Sequence, residues 1–583
     1  MKLITAVLSL ITLFLIACTS VEEKKSPKKI EVAAVYYPHW HTYPDGEKNF
    51  GKGWTEWENV KTTIPRFKNH KFIKEPLLGY IDGKNPNDVE KEIELASNCG
   101  IDVFLFDWYW YDGTLIMKES LEQAFLKAKN TKKMKFAIMW AYHDRYGKLR
   151  IDPKIAPAMR LLAKTPEEFL EALTYCVDNY FGLENYWRVD GKPFFCMYEV
   201  DFFIKNMGGP AKTKKLLATI DAMMKKKGLP PVHWNGMCSK KASIASIKEA
   251  GFETITTYVI TPWHVPTHDE RTSKREFIFD YSEIMQAHKR VWDDMSSGDL
   301  PYMPIVTRGW DCSARCALDT PFPWIRLDYP LCGVVVNNTP DRYKEILQDA
   351  KEFAEKNPEK HPAILLNAWN EYTEGSYLLP DMRDGDASLR AIAEVFSRKP
   401  SNVYVCSDTE TKQMLQIPKA TYENYPYGVH HKQRMDVWLA DDNNKKRPTI
   451  VYVHGGGWNS GGMIDRHIAS ALPTLLKNGV NVVCIDYRFL QDAIDDEIKN
   501  PMDYPLTDGV YAIKYLVGME KRWNIDLDKL AVVSVSNDNG KALKDTLEDK
   551  LGKADIKIKL FENIKEGKET PTPNFLDIVK KLK

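Results

Sequence analysis

Pro362-Ala363-Ile364-Leu365-Leu366-Asn367-Ala368-Trp369-Asn370-Glu371-Tyr372-Thr373-Glu374-Gly375 is an apolar run that stops abruptly in polar and aromatic residues. Consecutive apolar positions mark a strand buried on both faces, as in a parallel sheet covered by helices. The same pattern recurs along residues 30–398. Candidate strands are Val32–Tyr37, Asp102–Trp108, Lys135–Trp140, Pro193–Glu199, Pro231–Gly236, Thr254–Ile260, Tyr302–Arg308 and Pro362–Trp369. Amphipathic stretches such as Asp88–Asn98, Pro166–Tyr180 and Pro340–Lys356 intervene, with apolar residues three and four apart. Eight strands suffice to close a parallel barrel, so the predicted fold class is α/β, a (β/α)8 TIM barrel. Periodicity cannot show closure, which leaves a doubly wound open sheet as the alternative.

In such a barrel the chemistry belongs at the C-terminal ends of the strands. There the chain places Tyr36-Tyr37-Pro38-His39-Trp40, Asp107-Trp108-Tyr109-Trp110, Trp140-Ala141-Tyr142-His143, Tyr198-Glu199, Arg308-Gly309-Trp310-Asp311 and the Trp369-Asn370-Glu371 run. A lone histidine or tryptophan there is ordinarily a packed core residue; together they describe an aromatic cleft of sugar size with acids in it. The candidate substrate-binding residues are Tyr37, His39, Trp40, Trp54, Glu56, Asp107, Trp108, Trp140, His143, Glu199, Trp310, Trp369 and Asn370.

Glu371 and Glu374 lie three residues apart where the last strand enters its loop, a spacing that puts both side chains on one side of a helical turn. Glycosidic cleavage needs two carboxyl groups, one to protonate the leaving oxygen and one to act at the anomeric side. Environment must separate their proton affinities. Without the strand context, two glutamates at this spacing would read as a solvated acidic loop.

Tyr36-Tyr37-Pro38, Gly51-Lys52-Gly53-Trp54-Thr55-Glu56-Trp57 with Asn59-Val60, Leu78-Gly79-Tyr80, and Asn367-Ala368-Trp369-Asn370-Glu371 with Glu374-Gly375 resemble the successive signatures of the WbsX-type, family-99-like domain. The Asn-Glu-x-x-Glu-Gly element is also similar to the catalytic motif of the family 99 endo-α-mannosidases, which are (β/α)8 barrels. The resemblance implies a retaining glycoside hydrolase acting on a polysaccharide or glycan without metal or organic cofactor. It implies that Glu371 removes the proton of the sugar 2-hydroxyl, whose oxygen attacks the anomeric carbon to give a 1,2-anhydro sugar, and that Glu374 is general acid and then base. The upstream motifs match the WbsX branch better than the mannosidases, which leaves the sugar open. WbsX-type domains have also been described as glycosyltransferases, and a glycan-binding protein without turnover is a third reading.

Residues 1–18 read as a secretory signal: a basic start, an apolar run from Leu3 to Ala17 too short for a settled span, and Leu15-Ile16-Ala17-Cys18, which resembles a bacterial lipobox. The expectation is a chain lipidated at Cys18 and held on an envelope membrane by the polar tether 19–29. The sequence does not say which membrane. With 81 basic and 80 acidic residues, nucleic acid is not an expected partner. The ten cysteines lack the spacing of a disulfide scaffold, and whether Cys312 and Cys316 pair is open.

From residue 399 to 583 the character changes. Pro448-Thr449-Ile450-Val451-Tyr452-Val453-His454-Gly455-Gly456-Gly457-Trp458 resembles the oxyanion-hole segment of α/β-hydrolase esterases, where glycines let backbone N–H groups face a developing oxyanion. The nucleophile elbow Gly-x-Ser-x-Gly is missing, its nearest match being Ser534-Val535-Ser536-Asn537-Asp538. That segment would be either the elbow with both glycines replaced or a later strand that bears the acid. His467 is the last histidine, whereas the family order is Ser, acid, His. The expectation is a truncated, three-layer, non-catalytic module with a vestigial oxyanion loop at His454, Gly455, Gly456 and Gly457. A bifunctional glycosidase and esterase is the alternative.

Overall fold

The structure is a computed structural model that describes residues 30–396 and 417–561, apart from 62, 64–65, 68–69, 71–75, 144–163, 317–319, 321, 325–328, 382, 431, 441–444, 456–457, 459–461, 465, 535–541, 544, 548 and 550–558. Cys18, the tether, Gly456, Gly457, Ser536 and the side chain of His467 lie outside the described residues.

Eight parallel strands form the first body: β1 (Glu31–Tyr36), β2 (Val103–Tyr111), β3 (Lys135–Trp140), β4 (Lys192–Met197), β5 (His233–Met237), β6 (Thr254–Thr256), β7 (Tyr302–Met303 and Ile305–Thr307) and β8 (Ala363–Asn367). Each pairs with its neighbour in sequence, and β1 pairs with β8. Closure runs through β7. Its first half pairs with β6 and its second half with β8, with Pro304 between them. Proline has no N–H to give to a ladder, so the strand changes partners there while the Pro304 carbonyl still accepts from Leu365 N–H (2.9 Å). The sheet is therefore a closed barrel, not the open alternative.

The helices begin where the sequence provides caps. Asn85 caps α1 (Pro86–Cys99), Thr165 and Glu168 form a reciprocal capping box on α2 (Pro166–Asn179), and Thr339 caps a helix at Pro340–Lys356. All three carry proline in the first turn, where its fixed φ suits a helix start.

Strand periodicity separates the two faces of the barrel wall. On β2, Phe104 and Phe106 meet Phe125, Trp108 meets Trp140, and Trp110 meets Tyr175 of α2 in the outer layer. Asp107, between two outward residues, faces the barrel axis. One acid sits in the outer layer: Glu92 of α1, fully buried, accepts from Tyr36 Oη (2.8 Å) and Trp369 Nε1 (3.0 Å).

The second body is a six-stranded sheet of β9 (Tyr422–Pro426), β10 (Arg434–Trp438), β11 (Arg447–Val453), β12 (Asn481–Ile485), β13 (Ile525–Ser534) and β14 (Lys559–Phe561), in the order β9-β10-β12-β11-β13-β14. Alternation along the central strands feeds two cores. Ile450, Tyr452, Val482 and Ala531 pack with Ile468 and Leu472 of one helix, and Val451, Val453, Val483 and Val532 with Val510 and Ile513 of another. This is the three-layer, α/β-hydrolase-like arrangement expected. Among the described residues no helix is long and apolar enough to cross a membrane.

Burial pushes the Glu92 carboxyl up to about 7, although the Tyr36 and Trp369 hydrogen bonds favour its ionised form. A carboxyl that binds protons more tightly when folded contributes stability at low pH and loses it as pH rises through its folded value. Ionisation should cost on the order of 3 kcal/mol. Thermal melting should show the wild type losing stability as pH rises from about 4.5 to about 7 and little beyond, with that step absent in Glu92→Gln. Parallel curves for the two proteins would contradict the assignment.

Candidate active site

Beyond β8 the chain makes a tight hairpin. Asn370–Glu371 pairs antiparallel with Ser376–Tyr377, a 3-10 turn spans Tyr372–Glu374, and Gly375 takes the left-handed conformation (φ 67°) that closes it. Asn370 locks this hairpin to the end of β1: its Oδ1 accepts from Tyr37 N–H (2.7 Å) and its Nδ2 donates to Tyr37 O (2.9 Å). Trp40 Nε1 donates to Asn370 O (3.0 Å). Glu371 and Glu374 thus sit at opposite ends of a fixed turn, both nearly buried.

Their common partner is Arg315. Its Nη2 lies 3.2 Å from Glu371 Oε2 and its Nη1 lies 2.6 Å from Glu374 Oε1. Nε and Nη2 reach Glu56 Oε1 at 3.0 and 2.9 Å. Glu56 also accepts from Tyr37 Oη (2.6 Å) and Thr373 Oγ1 (2.6 Å) and lies 3.1 Å from His39 Nδ1. Tyr329 Oη donates to Glu374 Oε1 (2.8 Å) and accepts from Arg315 Nη1. Arg315 ends a short turn, Cys312–Arg315, whose cap is Asp311 Oδ1 on Ser313 N–H (3.0 Å). His70 Nε2 holds the other Asp311 oxygen at 2.9 Å, and Arg66 donates to the Ser313, Cys316 and Thr320 carbonyls.

Three buried carboxyls share one positive charge. For Glu56, burial opposes ionisation, but Arg315, His39 and the Thr373 bond outweigh it and hold the group well below the ordinary carboxylate range. Glu371 goes the other way: burial raises its proton affinity well above the usual value, Arg315 opposes, and Glu374, Glu56 and Asp107 add to the rise. Burial likewise raises Glu374 against Arg315 and the Tyr329 bond. Asp107 is raised by burial first and by Glu374 second. The Arg315 charge is therefore committed chiefly to Glu56, leaving Glu371 and Glu374 as groups able to carry a proton where an exposed carboxylate could not. Asp107 Oδ1 and Glu374 Oε2 are buried with no hydrogen-bond partner among the described residues.

Of the residues predicted from sequence, Tyr37, His39, Glu56, Asn370, Glu371 and Glu374 converge here, and Asp107 adjoins them. Trp40 supports the hairpin from behind, packed on Trp57 and Tyr372. His143 lies between Tyr109 and Tyr198 at the strand ends. Trp310 gives its indole N–H to Cys332 Sγ (3.2 Å) and faces Trp263. Trp54 stacks on Phe50 and meets Tyr43. Glu199 precedes a helix at Val200–Asn206, with Asp201 and Lys240 as its charged neighbours. Neither is brought to the carboxylate cluster.

Trp108, Trp140 and Trp369 require correction as cleft residues: the two-residue period turns Trp108 and Trp140 outward, and Trp369, which follows the end of β8, turns its indole to α1. Trp108 meets Trp140, Trp140 stacks on Phe169 of α2, and Trp369 bonds to Glu92 of α1. Cys312 and Cys316 are not joined by a disulfide; Cys316 Sγ donates to the Cys312 carbonyl (3.3 Å). Sequence reading passed over Arg315 and Tyr329, since a lone loop arginine carries no motif. The available signal was indirect: a buried cluster of acids requires a cation nearby.

In the second body, β11 pairs with β13 so that Val453 lies opposite Ser534. Ser534, the last residue of β13, is thus level with the end of the strand that leads into His454. His454 itself is occupied: its Nε2 lies 3.2 Å from Asp486 Oδ1, and its carbonyl accepts from Tyr487 Oη (2.9 Å).

A family model described as "Glycosyltransferase WbsX" matches residues 32–392, and one described as "BD-FAE" matches residues 435–566. A Xanthomonas campestris pv. campestris (strain B100) protein described as "Uncharacterized protein WxcX" is 24% identical over 377 residues, 63% of this chain and 50% of that protein. The chain thus spans about half the length of the curated relatives it matches there. A protein of Oryza sativa subsp. japonica described as "Probable isoprenylcysteine alpha-carbonyl methylesterase ICME" is 31% identical over 83 residues, 13% of this chain and 18% of that protein. Among solved structures, a GH99 endo-alpha-mannosidase from Bacteroides thetaiotaomicron aligns with 63% of this chain and 96% of its own, at 16% identity and a TM-score of 0.41.

Arg315 lowers the proton affinity of both glutamates, so removing its charge must raise both. In Arg315→Gln, infrared titration of the protonated carboxyl band should show more protonated acid at pH 7 than in wild type, with the midpoint moved to higher pH. An unchanged titration would mean that the guanidinium does not govern the cluster.

Proposed function

The chain belongs to the WbsX glycosyltransferase family, and from that premise we propose that its barrel is a retaining glycoside hydrolase cleaving a polysaccharide or glycan, with an α-mannoside-like linkage among the candidates. The observation that carries this reading is the buried Glu371 and Glu374 pair on one guanidinium, both with raised proton affinity. Glu371 takes the proton of the sugar 2-hydroxyl as that oxygen attacks the anomeric carbon, while Glu374 delivers a proton to the departing glycosidic oxygen. A 1,2-anhydro sugar results. Glu374 then removes a proton from water as it opens the ring, and Glu371 returns its proton to the 2-oxygen, with net retention. The rate should rise with pH as Glu371 ionises and fall as Glu374 loses its proton. Both limbs belong to the coupled pair.

A transferase is the second reading, favoured by the family's own description. Transfer calls for an activated donor, usually a nucleotide sugar, whose diphosphate would need positive charge. The cluster's guanidinium is already shared among three carboxylates, which supports hydrolysis. The second body is proposed as a non-catalytic module, because the Ser534-Val535-Ser536-Asn537-Asp538 segment lacks both glycines of a nucleophile elbow.

Polysaccharide digests by the purified chain, read by mass spectrometry, should show oligosaccharides released without nucleotide sugar and no deacetylation of acetylated sugars. Glu371→Gln and Glu374→Gln should each lower release by roughly 10²-fold or more while binding persists. Release only with a nucleotide sugar would favour transfer, and binding without release would favour a glycan-binding protein. Deacetylation abolished by Ser536→Ala would make the chain bifunctional.

The proposed setting is the bacterial cell envelope, with Cys18 lipidated. Cys18→Ala should move the protein from the membrane fraction to the soluble one; continued retention would count against a lipid anchor.

A further inference from the structure

Trp263 differs from the other tryptophans of the chain. It is 44% exposed, whereas the rest are buried or half-buried. A single exposed apolar side chain signifies little; its position carries the argument. The segment after β6 starts at the carboxylate cluster. Tyr258 is an electrostatic neighbour of Asp107, Glu371 and Glu374, and its ring meets Tyr198 edge-on at 5.3 Å. From there the chain runs outward under restraint. Thr257 Oγ1 donates to Cys238 O (3.1 Å) and Ile260 N–H donates to Thr307 Oγ1 (2.8 Å). The 3-10 turn Pro262–His264 follows, closed by Thr261 N–H on His264 Nδ1 (3.2 Å), with Arg290 donating to His264 O (3.4 Å).

Trp263 is thus presented from a fixed turn on the face of the barrel that holds the carboxylates. Its ring stands 6.4 Å from that of Trp310, which is buried and bonded to Cys332 two residues before the Arg315 turn. An indole that is rigid, wet on one side and continuous through Tyr258 with a cluster of proton-bearing acids suits one occupant. The apolar C–H face of a pyranose covers a flat ring while its hydroxyls stay in water.

We propose that Trp263 is a stacking platform for a non-reacting ring of an extended glycan chain, a distal subsite of the same cleft. This inference rests on the glycan-active reading above. Because such a ring lies beyond the bond being broken, the platform contributes to binding of long chains and not to the chemical step.

Affinity electrophoresis in gels carrying a panel of fungal, plant and bacterial polysaccharides tests it, using the full chain as Glu371→Gln so that the polymer survives. The polymer that retards this protein should retard the additional Trp263→Ala variant less, its apparent Kd about tenfold higher, equivalent to about 1.4 kcal/mol. Trp263→Phe, which keeps a flat ring, should recover most of the loss. On an oligosaccharide ladder from the same polymer, Trp263→Ala in the active background should raise KM for long chains while leaving kcat, and all parameters for the shortest cleaved chain, nearly unchanged. Equal retardation of Trp263→Ala and its parent, or an equal loss on short and long chains, overturns the subsite alone. No retardation by any polymer overturns the glycan-active reading and the subsite together.

Discussion

One guanidinium buried among three carboxyls governs the barrel's upper face. A charge in that position is tolerated only when paired, and three acids cannot all be ionised against one cation. Glu56 holds the negative charge because it has the most hydrogen-bond donors: Tyr37, Thr373, Arg315 and the nearby His39. Glu371 and Glu374 each keep only an edge of the guanidinium and are left with raised proton affinity. Two neighbouring carboxyls with raised proton affinity follow from that imbalance, not from either glutamate alone.

Much of the surrounding architecture keeps this arrangement in place. β1 supplies Tyr37 and His39, and its end is bonded to the β8 hairpin through Asn370. The turn after β7 that carries Arg315 is held by Asp311, His70 and Arg66. Barrel closure at Pro304 matters for the same reason, since it brings the ends of β7 and β8, and with them Arg315 and the glutamates, to one side of the molecule.

Patterns within single segments were legible in the sequence. Runs such as Val103-Phe104-Leu105-Phe106 located the strands, and apolar residues three and four apart located the helices around Asp88–Asn98, Pro166–Tyr180 and Pro340–Lys356. The glutamate pair was visible because both residues share one motif after one strand. What escaped was whatever depends on direction or distance. Trp108, Trp140 and Trp369 sit at strand ends as aromatic cleft residues would, yet register turns the first two to the helices and the third turns to α1 beyond its strand. Arg315 lies more than fifty residues from Glu371 and more than two hundred from Glu56, so no local pattern could join them. Nor could local pattern show that the strand ending in Ser534 pairs with the one ending in Val453.

The central claim is that the two glutamates on Arg315 cleave a glycosidic bond through a 1,2-anhydro sugar. The most direct measurement is proton NMR of the first sugar released by the purified chain, recorded before mutarotation. The account predicts that this product carries the anomeric configuration of the bond that was cut and forms without any nucleotide sugar. An inverted product, or sugar appearing only when an activated donor is supplied, would contradict it.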